Sequence, residues 1–309
     1  MSDRIPFRVQ PMLATLVREP FHRPGWVFEE KYDGFRILAY KEAVRVTLLS
    51  RNGKDRTGTF AEIAQAIRAL PSRTLLLDGE VVAFDRHGIS RFQLLQNLQT
   101  PPHYAVFDCL YKDGRDLRRQ PLTDRRSALE DVVGAGAKRA RIFLSSRLSD
   151  NGLTAYRAAK QKGYEGVLAK DASSPYVEGR SPYWLKFKVH QEDEFVIAGY
   201  TAPEGSRKYF GALLLAAYDR GKLIYVGKVG TGFNHEMLAQ LYKKFQPLVR
   251  AQPAVADPPR ERNVTYIAPR LVAQIAYGEL TADRKLRQPV FLGLRDDKRP
   301  QDVSLPVAK

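Results

Sequence analysis

The sequence of 309 residues has a single cysteine, Cys109, and only five histidines. One thiol cannot form an intrachain disulfide or build a cysteine zinc site by itself, and the histidines show no metal-ligand spacing. Cys109 lies in an apolar, strand-like segment, so we expect a buried structural thiol. The scarcity of cysteine and histidine predicts a reducing, cytoplasmic setting and no metal centre built from nitrogen or sulfur ligands.

Long apolar runs are also missing. The longest, residues 211–218, is far short of the roughly 20 residues that a transmembrane helix needs. Residues 1–6 carry no apolar signal segment. We therefore expect no membrane attachment.

Charge of one sign is present in excess. Lys and Arg number 50 against 34 Asp and Glu, which gives a formal net charge of +16. Such an imbalance favours a polyanionic partner, and without a membrane segment the better candidate is nucleic acid. Hydrophobic residues make up 44% of the chain, so a packed core is expected, and the length allows about two domains.

Hydrophobic spacing predicts a mixed α+β first half. Trp26 to Tyr40 is typical of two strands joined by an Asp33-Gly34 hairpin turn. Thr123 is a predicted N-cap for a helix that ends at Val133. Further helices are predicted at 60–70 and 152–162, and further strands at 44–50, 75–84, 104–111, 166–170 and 184–189.

From about Glu192 the pattern changes to short strands joined by glycine turns. Strands are predicted at 194–200, 212–219, 222–229 and 271–280, with a helix near 238–248 and a proline-rich loop at 252–259. About five strands and one helix fit a small barrel of the oligonucleotide-binding kind, the OB fold. The predicted domains are 1–190 and 191–309.

Lys31 ends an apolar strand just before a turn. It is either an exposed lysine beside a hairpin or a nucleophilic amine. A lysine amine with its ordinary pKa of about 10.4 is protonated and inert at neutral pH. A nucleophilic role would therefore need neighbouring cations or desolvation.

Lys186 and Lys188 can supply such cations. Side chains alternate along a strand, so these two lysines share one face and Leu185, Phe187 and Val189 share the other. The apolar face predicts anchoring in the core. The lysines then either face solvent or grip the phosphates of a bound nucleotide.

Carboxylates recur beside apolar strands, at Asp78, Glu80 and Glu165. Acids in such positions are rarely buried without a partner, although each could also be a turn residue. A metal ion or a ribose hydroxyl would satisfy them. Oxygen ligands without histidine or cysteine favour Mg²⁺ or Mn²⁺.

Three further segments are candidates for nucleotide contacts. Arg51 lies in a tight turn after a strand, where it suits a phosphate or ribose. Phe107 could stack on a base or lie in the core. Arg295 and Lys298 form a basic cluster after an apolar segment and could equally belong to a solvated tail.

The order of these motifs resembles that of the covalent nucleotidyltransferases, which are the DNA ligases, RNA ligases and mRNA-capping enzymes. The resemblance covers nearly the whole chain. Segments 181–188, 211–215 and 225–232 are more closely similar to the ligase domain of bacterial end-joining ligases. The motif series runs Glu29-x-Lys31-x-Asp33-Gly34-x-Arg36, Ser50-Arg51-Asn52-Gly53, Asp78-Gly79-Glu80, Phe107-Asp108, Glu165-Gly166, Lys186-x-Lys188 and Arg295-x-Asp297-Lys298.

The resemblance implies a fold and a set of roles. The expected fold is a nucleotidyltransferase domain of antiparallel sheets flanked by helices, similar to ATP-grasp, followed by a five-stranded OB-fold barrel. Lys31 would become AMP-lysine. For the base and ribose, the resemblance implies that Glu29 contacts the adenine amino group, Phe107 stacks on the adenine, and Arg36 and Arg51 contact ribose or phosphate. Glu80 would bind a ribose hydroxyl or the metal, and Glu165 the metal. Lys186 and Lys188 would bind the α-phosphate, Arg295 and Lys298 the leaving pyrophosphate, and Arg180 a phosphate.

The implied activity is ATP-dependent sealing of 5′-phosphate and 3′-hydroxyl breaks in DNA, with ATP and Mg²⁺ or Mn²⁺ as cofactors. The alternative is an RNA ligase or a capping-type nucleotidyltransferase. Only about 25 residues precede Glu29, so we expect no helical DNA-binding domain before the lysine. The resemblance further implies a monomer in the bacterial cytosol or nucleoid, a mobile second domain hinged near residues 189–192, salt-dependent DNA binding and possible reliance on a Ku-like end-binding protein.

Overall fold

The computed structural model of the protein describes residues 5–17, 19–96, 100–134, 141–189, 191–261 and 263–306. The chain divides into two compact units, Met1–His190 and Gln191–Lys309. Within the described ranges, no helix combines the length and the apolar character that a membrane span requires.

The first unit contains both helices and strands. In chain order its elements are β1 (Met12–Leu16), β2 (Trp26–Lys31), β3 (Phe35–Glu42), β4 (Arg45–Ser50), α1 (Ala61–Arg68), β5 (Thr74–Val82), α2 (Phe92–Gln96), β6 (His103–Lys112), β7 (Arg115–Asp116), α3 (Leu122–Val133), β8 (Ile142–Leu144), β9 (Arg147–Ser149), α4 (Gly152–Lys162), β10 (Gly166–Asp171) and β11 (Gly179–Lys188).

The second unit follows with shorter elements. They are β12 (Glu192–Thr201), β13 (Leu213–Asp219), β14 (Lys222–Val229), α5 (His235–Phe245), β15 (Val249–Arg250), β16 (Val264–Ile267), β17 (Val272–Ala276), β18 (Glu279–Leu280), β19 (Leu286–Arg287) and β20 (Val290–Leu294). The predicted α+β class is confirmed.

Two sheets build the first unit. The nucleophile sheet, which contains the strand of Lys31, has the order β1-β11-β10-β2-β9. The facing sheet has the order β4-β3-β5-β6-β7, with β8 beside β6. One apolar cluster lies between them and includes Trp184 from the first sheet and Phe107 from the second. Both sheets are therefore covered on this inner side.

Helices cover the outer faces. Phe187 of β11 and Phe28 of β2 pack with Ala155 and Ala159 of α4. On the facing sheet, α1 and α3 pack against the residues that point away from Phe107. The predicted division of β11 is confirmed, because Leu185, Phe187 and Val189 lie in the α4 cluster while the lysines point the other way.

The predicted Asp33-Gly34 hairpin is wrong, because β2 and β3 belong to different sheets. The chain crosses between the sheets at this point. Asp33 accepts a hydrogen bond from the backbone N–H of Phe92 at 3.0 Å, and its own N–H donates to Ser90 at 3.0 Å. A Cβ at Gly34 would lie 2.1 Å from the Val81 carbonyl oxygen. Long-range contacts, rather than a hairpin, explain these two residues.

Two local predictions also need correction. Helix α3 starts at Leu122 after Pro121, so Thr123 lies inside the first turn rather than at the N-cap. Proline is suited to a helix start because its missing N–H would have no partner there. The predicted strand at 271–280 is divided into β17 and β18. Cys109 is buried as predicted, and burial raises the pKa of its thiol to about 12.

A buried ion pair joins α3 to β6. Arg125 donates to both oxygens of Asp108, at 2.8 and 2.9 Å, and both side chains are completely buried. Arg125 also donates to the carbonyl oxygens of Gln120 and Ser174 at 2.7 and 2.8 Å. All three nitrogens of the guanidinium therefore donate hydrogen bonds.

Replacement of Asp108 with alanine is expected to lower the free energy of unfolding by about 3–5 kcal/mol, because it leaves a buried charge without its partner. Urea denaturation of the purified chain measures this. The matched control is Asp131→Ala on α3, whose ion pair with Lys112 of β6 is largely exposed and should be worth at most about 1 kcal/mol. Equal effects from the two substitutions would contradict a stabilising role for the buried pair of Arg125 and Asp108.

In the second unit, β12 is the central strand and pairs with β13, β16 and β17. β13 continues to β14, and β17 continues to β20. The Phe291 N–H of β20 also donates to the Thr231 carbonyl, two residues beyond β14, at 3.0 Å. Leu238, Leu241 and Phe245 of α5 close the core. Five main strands and one helix match the predicted OB-type arrangement.

Candidate active site

The pairing of three strands places two of the predicted lysines around a glycine. Gly166 of β10 lies opposite Lys31 on β2 and opposite Lys188 on β11. Two strand spacings put the lysine backbones about 10 Å apart. A Cβ at Gly166 would lie 2.4 Å from the Phe187 carbonyl oxygen, so glycine is needed here for the close approach of β11. Two lysines on one face of the sheet can bind a phosphate group.

Glu165, the residue before Gly166, forms an ion pair with Lys31. Burial would raise the pKa of Glu165, but Lys31, Lys188 and Lys186 outweigh it, so that the pKa lies below its usual value. The second carboxylate oxygen, Oε2, is buried and has no hydrogen-bond partner among the residues that the structure describes. The site thus pairs the lysines with a carboxylate that retains an oxygen for a further ligand.

Leu168 of β10, two residues beyond Gly166, lies opposite Lys186 of β11 on one side. On the other side Leu168 lies opposite Glu29 of β2. Oε2 of Glu29 accepts hydrogen bonds from Lys170 at 2.7 Å and from the Ser145 hydroxyl at 2.8 Å. Only 5% of the residue is exposed, so these bonds replace its hydration.

The facing sheet contributes Arg36, which the sequence predicted as a ribose or phosphate ligand. Its guanidinium forms a two-point ion pair with Asp78, at 2.5 and 2.7 Å, and donates to the Met12 carbonyl at 3.3 Å. Burial alone would lower the pKa of Arg36, but the Asp78 carboxylate raises it above its usual value. Asp78 also accepts from Tyr176 at 2.6 Å, so both of its oxygens are bonded to protein groups.

Two cations lie close to the ring of Phe107. The Arg36 guanidinium carbon is 4.4 Å and the Lys170 Nζ 4.5 Å from the centre of its ring, and Trp184 contacts it edge-on. Only 3% of Phe107 is exposed. Burial lowers the pKa of Lys170, and Glu29 opposes this shift. The ring belongs to the inner core and borders the site. Stacking on a base stays a prediction.

The remaining predicted residues lie around this centre or in the second unit. Glu80 of β5 pairs with Arg36 of β3, and the Arg51 N–H donates to the Arg36 carbonyl at 3.2 Å. Arg180 donates to the Ala14 carbonyl at 2.8 Å.

In the second unit, Arg295 forms a two-point ion pair with Asp297 at 2.8 and 2.9 Å. Lys298 pairs with Glu194 at 3.1 Å. Both basic residues are therefore engaged within their own unit.

Sequence reasoning missed Lys170, Ser145 and Arg126, which surround Glu29. Alternation along β10 places Lys170 on the same face as Gly166, which was a usable signal. Ser145 and Arg126 come from the segment before β9 and from α3, and no local pattern marks either of them.

Two family models match the chain. The ATP dependent DNA ligase domain matches residues 11–188, and the ATP dependent DNA ligase C terminal region matches residues 206–298. The first match covers Lys31, Glu165, Lys186 and Lys188. The second covers Arg295 and Lys298.

Curated relatives agree with these matches. The chain is 36% identical over 311 residues to the multifunctional non-homologous end joining protein LigD of Pseudomonas aeruginosa, covering 97% of this chain and 37% of that protein. It is 34% identical over 329 residues to a DNA ligase of Thermococcus fumicolans, covering 96% of this chain and 57% of that protein. The chain thus spans about two fifths to three fifths of the length of these relatives.

Solved structures are similar over the full chain. One described as mycobacterial DNA ligase D complexed with ATP and MES has a TM-score of 0.73 and 33% identity, covering 99% of this chain and 100% of that one. The ligase domain of Mycobacterium tuberculosis LigD has a TM-score of 0.55 and 34% identity, covering 97% and 99%. The chain therefore belongs to the ATP-dependent DNA ligase family.

Proposed function

We propose that the chain seals 5′-phosphate and 3′-hydroxyl breaks in DNA through an AMP group carried on Lys31. The observation that supports this most is the row Lys31, Gly166 and Lys188, with Glu165 at its edge, inside the segment that matches the ligase domain. It offers a nucleophile and, on the same face of the sheet, a second cation that can hold a phosphate. The first unit is the proposed adenylation domain and the second the proposed OB-fold domain.

Nucleotide binding is assigned to the residues between the two sheets. Glu29 accepts from the adenine amino group, and Phe107 packs on the base. Arg36, Arg51 and Glu80 lie on the side of the ribose and phosphates. Since Arg36 is bound to Asp78, its direct contact with the nucleotide would require it to share its donors.

In the first step, the Lys31 amine attacks the α-phosphorus of ATP, a nitrogen–phosphorus bond forms, and pyrophosphate leaves. The amine must first lose its proton to solvent, and Glu165 in contact with it holds it in position. Lys186 and Lys188 neutralise the α-phosphate. In-line phosphoryl transfer depends mainly on such positioning and charge neutralisation.

In the second step, an oxygen of the DNA 5′-phosphate attacks the AMP phosphorus and Lys31 leaves. In the third, the DNA 3′-hydroxyl attacks the 5′-phosphate and AMP leaves. Arg295 and Lys298 are assigned to the pyrophosphate of the first step and Arg180 to a phosphate contact. Because Arg295 and Lys298 belong to the second unit, these roles require that unit to move between steps.

A divalent cation fits the donors present. Among the described residues, no three His, Cys, Asp or Glu side chains lie close enough together to hold a metal. Mg²⁺ is usually held by one or two carboxylates together with substrate phosphates, so a full protein cage is not needed. The buried Oε2 of Glu165 is suited to this, with Glu80 as the second candidate. Mg²⁺ or Mn²⁺ would neutralise phosphate charge in the reaction.

The cellular setting is inferred from the relatives named for non-homologous end joining. We propose action on broken or nicked double-stranded DNA in the bacterial cytosol or nucleoid, as a monomer. The net charge of +16 supports binding to the DNA backbone. A DNA-end-binding protein of the Ku kind is the proposed partner.

Nick sealing tests the proposal directly. The purified chain with ATP and Mg²⁺ should join a nick in double-stranded DNA, and labelled ATP should transfer AMP to the protein. RNA and hybrid nicks, and labelled GTP, run in parallel. Labelling by GTP alone, or sealing of RNA nicks without DNA nicks, would overturn the proposal in favour of a capping-type enzyme or an RNA ligase.

A further inference from the structure

A chain of hydrogen bonds leads from the surface of α3 to Glu29. Arg126 donates from Nη1 to the Ser145 hydroxyl at 2.9 Å and from Nη2 to the Ser145 carbonyl at 3.0 Å. The Ser145 hydroxyl bonds to Oε2 of Glu29 at 2.8 Å. Ser145 is 2% exposed, and its N–H is held by the Val106 carbonyl at 2.8 Å, so the hydroxyl has a fixed position.

The direction of each bond in this chain is determined. A guanidinium has donors and no acceptor, so the Ser145 hydroxyl must accept from Arg126. The hydroxyl has one hydrogen, which therefore points to Glu29. Lys170 is also only a donor, and it bonds to the same oxygen of Glu29 at 2.7 Å. Two donors on Oε2 hold the Glu29 carboxylate as an acceptor.

The other oxygen, Oε1, is 3.7 Å from Nη1 of Arg126, which is longer than a direct hydrogen bond. Lysine, serine and arginine together thus hold the carboxylate in place, so the base contact proposed for Glu29 falls to Oε1 as an acceptor. An acceptor suits the 6-amino group of adenine. It repels the 6-oxo group of guanine or hypoxanthine, which Glu29 could bind only as a donor.

We propose that Arg126 and Ser145 are positioning residues that make Glu29 select a 6-amino purine over a 6-oxo purine. This inference rests on the proposed function, in which Glu29 contacts the base. Without the relay, the Glu29 carboxylate can rotate, and its preference for the amino group falls. Sites built around a buried hydrogen bond lose most of their selectivity when that geometry is lost.

The test compares ATP with inosine triphosphate, which differs at the 6-position. Rates of AMP or IMP transfer to the protein from α-labelled nucleotides give kcat/KM for each, and their ratio measures selectivity. Arg126→Ala and Ser145→Ala should each lower the ATP-to-ITP ratio at least about tenfold, since each weakens bonds to a charged group. Arg157→Ala, an exposed arginine on α4, should leave the ratio unchanged.

A structural role alone would reduce labelling by both nucleotides equally. An unchanged ratio, or an equal or complete loss with both nucleotides, overturns the inference. Arg126 is 22% exposed, so its alanine variant should fold even if the Ser145 variant does not. If the wild-type chain fails to label with ATP, the proposed function itself is contradicted. If the wild-type chain labels and the variants keep its ATP-to-ITP ratio, only this inference is contradicted.

Discussion

Lys31→Ala is expected to abolish AMP transfer to the protein, with a loss of at least about 10⁴-fold, because the amine is the group that forms the bond. The contacts of Lys31 support this size of effect. Its amine is in contact with Glu165, and Lys188 lies across Gly166 on the same face of the sheet. The measurement is labelling with α-labelled ATP followed by denaturing electrophoresis.

Two companions separate the loss of a nucleophile from damage to the fold. Lys31→Arg keeps the charge and can keep the pair with Glu165, but a guanidinium stays protonated and should be equally inactive. Both variants should still seal a nick whose 5′-phosphate already carries AMP, because that step does not use the amine. Lys160→Ala on α4 should behave as wild type. Labelling of the Lys31 variants would place the AMP on another residue.

Alternation within a strand was enough to predict the faces of β11. Leu185 and Phe187 are in the α4 cluster, and Lys186 and Lys188 are on the face of Lys31. Alternation is a local property, since it follows from the geometry of one strand. The position of Lys31 beside Gly166 could not be predicted in this way, because it depends on the register between β2 and β10, which are more than a hundred residues apart in sequence.

Partners of charged residues were the least predictable part of the site. Arg36 and Asp78 form an ion pair with each other, which no pattern in the sequence indicated. The sequence contains both groups but does not specify which of its many opposite charges each one meets. The Asp33-Gly34 turn failed for a similar reason. A local hairpin signal was overridden by contacts of Asp33 with Ser90 and Phe92 in the folded unit.

Glu165→Gln is expected to reduce AMP transfer to Lys31 roughly 10²- to 10³-fold, because it removes a charge from a buried electrostatic site. Glutamine keeps the volume of the side chain, so the strands should pair as before. Labelling should also need more Mg²⁺ for half its maximal rate if Glu165 binds the cation. Glu178→Gln, an exposed glutamate, is the control and should leave both quantities unchanged.

Two opposing effects act on this variant. Glu165 holds the Lys31 amine in an ion pair, so its removal should by itself free the amine to attack. Its removal also leaves Lys31, Lys186 and Lys188 without the carboxylate that they surround and takes away the buried Oε2. We expect the second effect to win, because a divalent cation on the phosphates interacts at close range with a full charge in a poorly solvated site. Faster labelling of Glu165→Gln, with unchanged Mg²⁺ dependence, would instead mean that Glu165 only restrains Lys31.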